Sequence, residues 1–247
     1  SRMDVEGRRV AAGRDFGDDG QLANEVVVLD EATVTELADG LSGGSVDVAS
    51  VEAKPYRRRP AAPFITSTLQ QEAGRRLRLS ASLAMHAAQS LYQKGYITYM
   101  RTDSKTLSDT ALRAARAEVA ERFGRAFLPD APRTYDKKVR NAQEAHEAIR
   151  PAGDRFRHPD VVAGELPLTE GRVYEMIWQR TVASQMTDAV GETVQVRFSG
   201  SSGARQVVLG GSGTMVTHQG LRGAYAEIVE ESNDASSSDG GEGSVLP

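Results

Sequence analysis

Between about residue 64 and residue 186, apolar side chains recur every three or four positions. On either side they alternate with polar ones or gather in short runs broken by glycine and serine. The first pattern is that of amphipathic helices, the second that of half-buried strands, so a helical middle is flanked by β-rich ends. In the first part Asn24–Leu29 reads as a strand, Glu31–Leu41 as a short helix and Ser45–Val51 as an alternating strand. The stretch Lys54–Pro63 is basic and proline-rich and reads as a connector.

In the middle, Ser67 with Gln70 three residues on sets up a capping box. Leu69, Ala73 and Leu77 then share one face, with Arg75, Arg76 and Arg78 largely away from it. A second helix spans about Ser82–Lys94 and stops at Gly95; a third spans Asp109–Phe123, striped by Leu112, Ala115, Val119 and Phe123, and stops at Gly124. Ala142–Ile149 reads as a short fourth, ended by Pro151. Thr169 caps a fifth that carries Val173, Ile177 and Trp178 and reaches about Met186. The period then returns to two: Glu192–Phe198, Arg205–Leu209, Thr214–Thr217 and Ala224–Val229 are strand candidates. The acidic Ser/Asp/Gly segment 232–244 has nothing to bury and is expected to be mobile. The fold class is α+β, a helical domain inserted into a discontinuous β-rich one, with boundaries at 1–58, 59–186 and 187–247.

Composition changes this picture at one point. The 247 residues have a net charge of -4, yet residues 57–157 hold 20 Lys+Arg against 10 Asp+Glu. The remainder is correspondingly acidic. A positive middle in an acidic chain suits a polyanionic partner, and the preponderance of Arg over Lys suits bidentate phosphate contacts. The chain has no cysteine, which excludes a disulfide framework and any thiolate chemistry. No apolar run approaches the ~18 residues of a membrane-spanning helix, so no membrane partner is expected.

Several chemistries can be set aside. There is no G-x-x-x-x-G-K-[ST] loop for ATP, and His86, His146, His158 and His218 lack metal-ligand spacing. Asp15, Asp18 and Asp19 read as a solvated turn rather than a metal cluster. One stretch remains, Gly95-Tyr-Ile-Thr-Tyr-Met-Arg-Thr-Asp-Ser104, a short extended run between two helices. Period-two geometry sends Tyr99 and Arg101 to the same side, roughly 7 Å apart at Cα, so both can address one phosphate. A phenol is a weak nucleophile unless its phenolate is favoured. A neighbouring guanidinium favours it and also stabilises the charge that gathers on a pentacoordinate phosphorus. A second piece, Ala142–Pro151, places His146 and Arg150 four apart on one expected helical face.

Together with Pro63-Phe-Ile-Thr-Ser-Thr-Leu-Gln-Gln-Glu-Ala73, these two motifs, in this order and spacing, resemble the type IA family of bacterial DNA topoisomerases. The resemblance runs from about residue 24 to the end and is densest over 63–186. It implies that Tyr99 attacks a single-strand phosphodiester and becomes linked to the 5′ phosphate, with Arg101 on the scissile phosphate. His146 and Asp103 are then supporting residues near the bound strand, and Arg150 and Thr98 are further DNA-binding or supporting candidates. The helical middle resembles the catalytic-tyrosine domain and the β ends the arch domain. The family's Mg²⁺ site, its acidic domain and a further DNA-gripping domain are expected outside this chain, and ATP is not required. The implied partners are single-stranded and negatively supercoiled DNA and the remaining domains of the same enzyme, in the bacterial cytoplasm at the nucleoid. The isolated chain is expected to bind single strands weakly and not to relax DNA. A non-enzymatic DNA-binding module is the alternative. Tyrosine recombinases, which link to a 3′ phosphate, are disfavoured by the Tyr-Met-Arg-Thr-Asp context. Tyr92, Tyr96 and Tyr135 are available for base stacking, and the sequence singles out none of them.

Overall fold

The computed structural model describes residues 2–22, 24–135 and 147–225. They combine α-helices with an antiparallel sheet and divide into two compact units. The first unit joins Ser1–Arg57 to Val190–His218; the second joins Arg58–Ala189 to the described residues from Gln219 onward.

The first unit contains β1 (Arg2–Val5), β2 (Arg8–Arg9), α1 (Glu31–Gly43), β3 (Val46–Arg58), β4 (Ala189–Ser202) and β5 (Arg205–His218), except for the terminal residues Arg58 and Ala189 of β3 and β4. The strands form one sheet in the order β2-β1-β5-β4-β3. β4 and β5 make a long hairpin closed by Gly203 and Ala204, in register from Ser202↔Arg205 to Val190↔His218. The period-two pattern had divided this ribbon into three short strands at its glycines. Gly210, Gly211 and Gly213 instead lie within β5. At the register shift beside Val190, a Cβ on Gly191 would stand 2.0 Å from the Met215 carbonyl oxygen, so only glycine fits that close approach. Asp30 caps α1 by accepting from the Thr33 N–H at 2.8 Å. Leu37 of α1 meets Val5 and Val207 in a small core.

Three expectations change here. Asn24–Leu29 contributes a single bridge, Val10↔Val27, not a strand. β3 runs through Pro55 to Arg58, where the sequence suggested a connector. A proline is tolerated there because β3 is the edge of the sheet, where a missing N–H breaks no ladder. Asp15 is buried rather than solvated. Arg9 donates to its carboxylate at 2.7 and 2.5 Å, Ala12 N–H at 2.8 Å and Asn24 at 3.1 Å.

The second unit packs α2 (Thr66–Leu77), α3 (Ala81–Gln93), α4 (Asp109–Arg122) and the short α5 (Pro159–Ala163) around α6 (Leu168–Ser184). α6 is buried nearly all round, including Val173, Tyr174, Ile177, Trp178 and Val182, as a central helix must be. Leu69 and Ala73 of α2, and Ala84, Ala88 and Leu91 of α3, close the same core. α3 begins at Ser80, whose hydroxyl accepts from the Leu83 N–H at 3.2 Å. Ser80→Ala is expected to cost about 1 kcal/mol, read as a melting temperature lowered by a few degrees.

Differences from the sequence reading are local. α2 starts one residue before the expected cap: Ile65 is the N-cap, and Thr68 rather than Gln70 reaches back, its hydroxyl accepting from the Ile65 N–H at 3.1 Å. α6 starts after Pro167, so Thr169 does not cap it. The described part of the expected fourth helix, 147–149, is extended, because the Ile149 N–H donates to the Phe64 carbonyl at 2.9 Å. Where a strand was expected from Ala224, the chain makes a 3-10 turn at Gly220–Arg222 and is helical at 223–225. The rest of that candidate and the segment 232–244 lie outside the described residues.

Candidate active site

The site grows out of the end of α3. There the Tyr96 N–H donates to the Leu91 carbonyl and the Gly95 N–H to the Tyr92 carbonyl, at 2.9 and 3.0 Å. Gly95 has φ +78°, the left-handed conformation that ends a helix and turns the chain back. The chain then runs through residues 96–104 to α4, whose N-cap is Ser108.

Two threonines clamp this run on either side of Tyr99. Ahead of it, the Thr98 N–H donates to the Arg150 carbonyl at 2.9 Å. The Thr98 hydroxyl donates to the Ala148 carbonyl at 2.8 Å and accepts from the Arg150 N–H at 3.0 Å. Behind it, the Thr66 hydroxyl at the start of α2 donates to the Met100 carbonyl at 2.8 Å and accepts from the Thr102 N–H at 3.0 Å. The Thr66 N–H donates to the Thr102 carbonyl at 2.9 Å. With its backbone held on both flanks, the segment alternates: Met100, Thr102 and Ser104 are buried, while Tyr99, Arg101 and Asp103 are exposed. Ile97 breaks the expected alternation; it is buried and pairs with Pro151.

The Tyr99 ring is 44% exposed. Among the described residues its hydroxyl has no hydrogen-bond partner, and the Arg101 guanidinium has neither ion pair nor hydrogen bond. Arg101 and Asp103 border an open cleft of about 490 Å³ whose other wall is the first turn of α2, with Ile65, Thr66, Ser67 and Gln70. An exposed guanidinium and an exposed phenol without hydrogen-bond partners among the described residues can meet a phosphodiester without first breaking a hydrogen bond or ion pair among them.

Arg150 and Thr98 do not lie with this group. Arg150 is only 8% exposed. Its guanidinium donates to Glu147 at 3.1 and 2.6 Å, to the Pro151 carbonyl at 2.8 Å and to the Gly153 carbonyl at 3.1 Å. It ties the 147–153 segment together behind the tyrosine run, with four of its five N–H donors on Glu147, Pro151 and Gly153. Glu147 also accepts from the Ser108 N–H at 2.6 Å, tying the start of α4 to the same segment. Withdrawal from water is the largest single influence on the Glu147 carboxyl and pushes its pKa up. The hydrogen bonds from Arg150 and Ser108 outweigh it, and the net pKa lies below the ordinary glutamate value. His146 lies outside the described residues. Thr66 and Glu147 escaped sequence reading because both act on backbone far away in the chain, which no local spacing reveals.

Among the described residues no three His, Cys, Asp or Glu side chains are grouped to hold a metal ion, and no helix is long and apolar enough to cross a membrane.

A DNA topoisomerase family model matches residues 10–245. DNA topoisomerase 1 of Mycolicibacterium smegmatis is 56% identical over 230 residues, covering 92% of this chain and 25% of that protein. Its counterpart in Mycobacterium leprae is 54% identical over 232 residues, covering 92% and 24%. Full-length topoisomerase I of Thermotoga maritima superposes with a TM-score of 0.63 at 28% identity, covering 91% of this chain and 35% of that one. The chain thus spans about a quarter of the length of these curated relatives. With a family model that matches nearly its whole length, this chain belongs to the type IA DNA topoisomerase family.

Proposed function

We infer that this chain carries the nucleophile with which a type IA topoisomerase opens and reseals one DNA strand. The observation that carries the reading is the exposure of Tyr99, whose hydroxyl has no hydrogen-bond partner among the described residues, on a backbone pinned by Thr98 and Thr66 and two residues from the exposed Arg101. The Tyr99 oxygen attacks the phosphorus of a single strand, and the bond from phosphorus to the 3′ oxygen breaks. The strand is left with a 5′-phosphotyrosyl end and a free 3′ hydroxyl, the phenolic proton balancing the one that the 3′ oxygen gains. Arg101 offsets charge on the non-bridging oxygens, and Asp103 and His146 support the strand. One phosphoester replaces another, so resealing is the same step in reverse and needs no ATP.

The second unit corresponds to the catalytic-tyrosine domain, and the sheet unit to the arch that lifts it for strand passage. Relaxation of negatively supercoiled DNA in the cytoplasm is the activity of the whole enzyme. The Mg²⁺ implied by the family resemblance is assigned to regions of the enzyme outside this chain. Alone, these 247 residues bind single strands weakly and do not relax DNA.

The test is the polarity of the adduct. With a single-stranded oligonucleotide and the full-length enzyme, a label at the 3′ end is expected to migrate with protein on a denaturing gel, while a 5′ label is released. The opposite pattern, a 3′-phosphotyrosyl bond, would put the chemistry in the recombinase class and refute the assignment.

A further inference from the structure

Of the three tyrosines left open by the sequence, two are committed inside the second unit. The Tyr135 hydroxyl donates to the Ser184 carbonyl at 2.7 Å, and Tyr96 donates to Glu165 at 2.6 Å while its ring packs against Tyr174. Tyr92 is different. It lies in the last turn of α3, is 44% exposed, and its hydroxyl has no partner among the described residues. Its ring stands edge-on to Tyr99, with centroids 5.3 Å apart and planes at 67°. The turn at Gly95 brings the two together, folding the chain back over the helix end it has just left.

The geometry points to Tyr92 as the positioning residue for the Tyr99 ring. This rests on Tyr99 being the nucleophile. The threonine clamps fix the backbone on both sides of Tyr99, but they do not fix its side chain, which has staggered χ1 wells open to it. No hydrogen bond among the described residues holds its hydroxyl, and Tyr92 is its one aromatic neighbour among them. In-line attack requires the phenolic oxygen within about 3–3.5 Å of phosphorus on the axis of the leaving oxygen, so a ring that wanders between wells wastes encounters. An edge-to-face pair favours one arrangement by about two- to ten-fold. Tyr92 does not touch the phosphate; it acts through the ring it abuts.

The test compares Tyr92→Ala and Tyr92→Phe in the full-length enzyme. The rate of covalent adduct formation is measured at saturating single-stranded oligonucleotide, and the affinity for the same oligonucleotide in a Tyr99→Phe background, where no cleavage interferes. Tyr92→Ala is expected to slow adduct formation at saturation about two- to ten-fold, with affinity unchanged and the melting temperature nearly so. Tyr92→Phe, which keeps the ring, restores the rate. An unchanged saturated rate in Tyr92→Ala overturns the inference. So does a loss confined to affinity, which would make Tyr92 a base-stacking surface instead, and so does a loss in Tyr92→Phe equal to that in Tyr92→Ala. If the unsubstituted enzyme forms no adduct, or Tyr99→Phe still forms one, the assignment of the nucleophile fails and the inference falls with it. That outcome is distinct from every Tyr92 effect.

Discussion

Tyr99→Phe is expected to abolish covalent capture of DNA by the full-length enzyme and to leave its fold intact. Removing the attacking oxygen leaves no group to form the phosphotyrosyl bond, so the loss is expected to be on the order of 10⁴-fold or more, the scale seen when a nucleophile is deleted. The fold is spared for a specific reason. The hydroxyl has no hydrogen-bond partner among the described residues, and the ring, which contacts Tyr92, is kept. Substitutions at exposed sites without such partners change stability by no more than about 0.5 kcal/mol, so the melting temperature should hardly move. Single-strand affinity should also persist, since the positive charge of the middle of the chain is untouched. Persistence of a covalent adduct in Tyr99→Phe would mean that another residue attacks, and the assignment would be wrong.

What the sequence revealed of this site, and what it hid, follows from the range over which each interaction acts. Strand alternation was the argument for putting Tyr99 and Arg101 on one side; in the structure both are exposed. Gly95 and Gly124 were readable as helix stops because a left-handed φ is a one-residue property, and they have φ +78° and +89°. The helical faces built on Leu69, Ala73, Val119, Val173 and Ile177 were readable because helical periodicity is local, and all five are buried. Residues 147–149 were misread because local propensity favours a helix in an alanine-rich run, whereas pairing with Phe64, more than eighty residues earlier in the chain, takes the Ile149 N–H. β3 was cut short at Val51, ahead of the basic, proline-rich stretch Lys54–Pro63, because prolines argue against a strand, and the sequence does not say which strand will be the edge of its sheet.

The same limit bears on Arg150 and Thr98, the two DNA-binding or supporting candidates whose hydrogen bonds run to the protein itself. An arginine in a basic motif and a threonine beside the nucleophile look alike whether they address a phosphate or a carbonyl. The hydrogen bonds of Thr98 and Arg150 decide it: their partners are the Ala148, Pro151 and Gly153 carbonyls and the Glu147 carboxylate. Their place in the proposed chemistry is to hold the tyrosine run from behind.

Arg150→Ala should therefore act on stability before it acts on DNA. The substitution leaves Glu147 without its ion-pair partner and removes the donor to two carbonyls in a largely buried setting, with the Arg150 side chain 10% and the Glu147 side chain 28% exposed. Breaking a buried ion pair from one side costs about 3–5 kcal/mol, and the partial exposure of Glu147 brings the expectation to about 2–4. In a unit of this size, that lowers the melting temperature by roughly 5–15 °C. A phosphate-contacting arginine would behave differently: its loss would weaken single-strand binding and flatten the dependence of log affinity on log salt by about 0.7 per contact. An unchanged salt slope with a large drop in melting temperature is the expected result, and a flattened slope with little change in stability would return Arg150 to the DNA surface. Acid provides an independent check on the same latch. Because the folded Glu147 pKa lies below its ordinary value, its contribution is fully present above the unfolded glutamate pKa, near 4.3. It is lost as pH falls through the folded value. The melting temperature of the unsubstituted chain should thus fall more steeply below about pH 4.5 than that of Arg150→Ala, since the variant has already lost the Arg150 pairing, the largest of the interactions that hold the Glu147 pKa down.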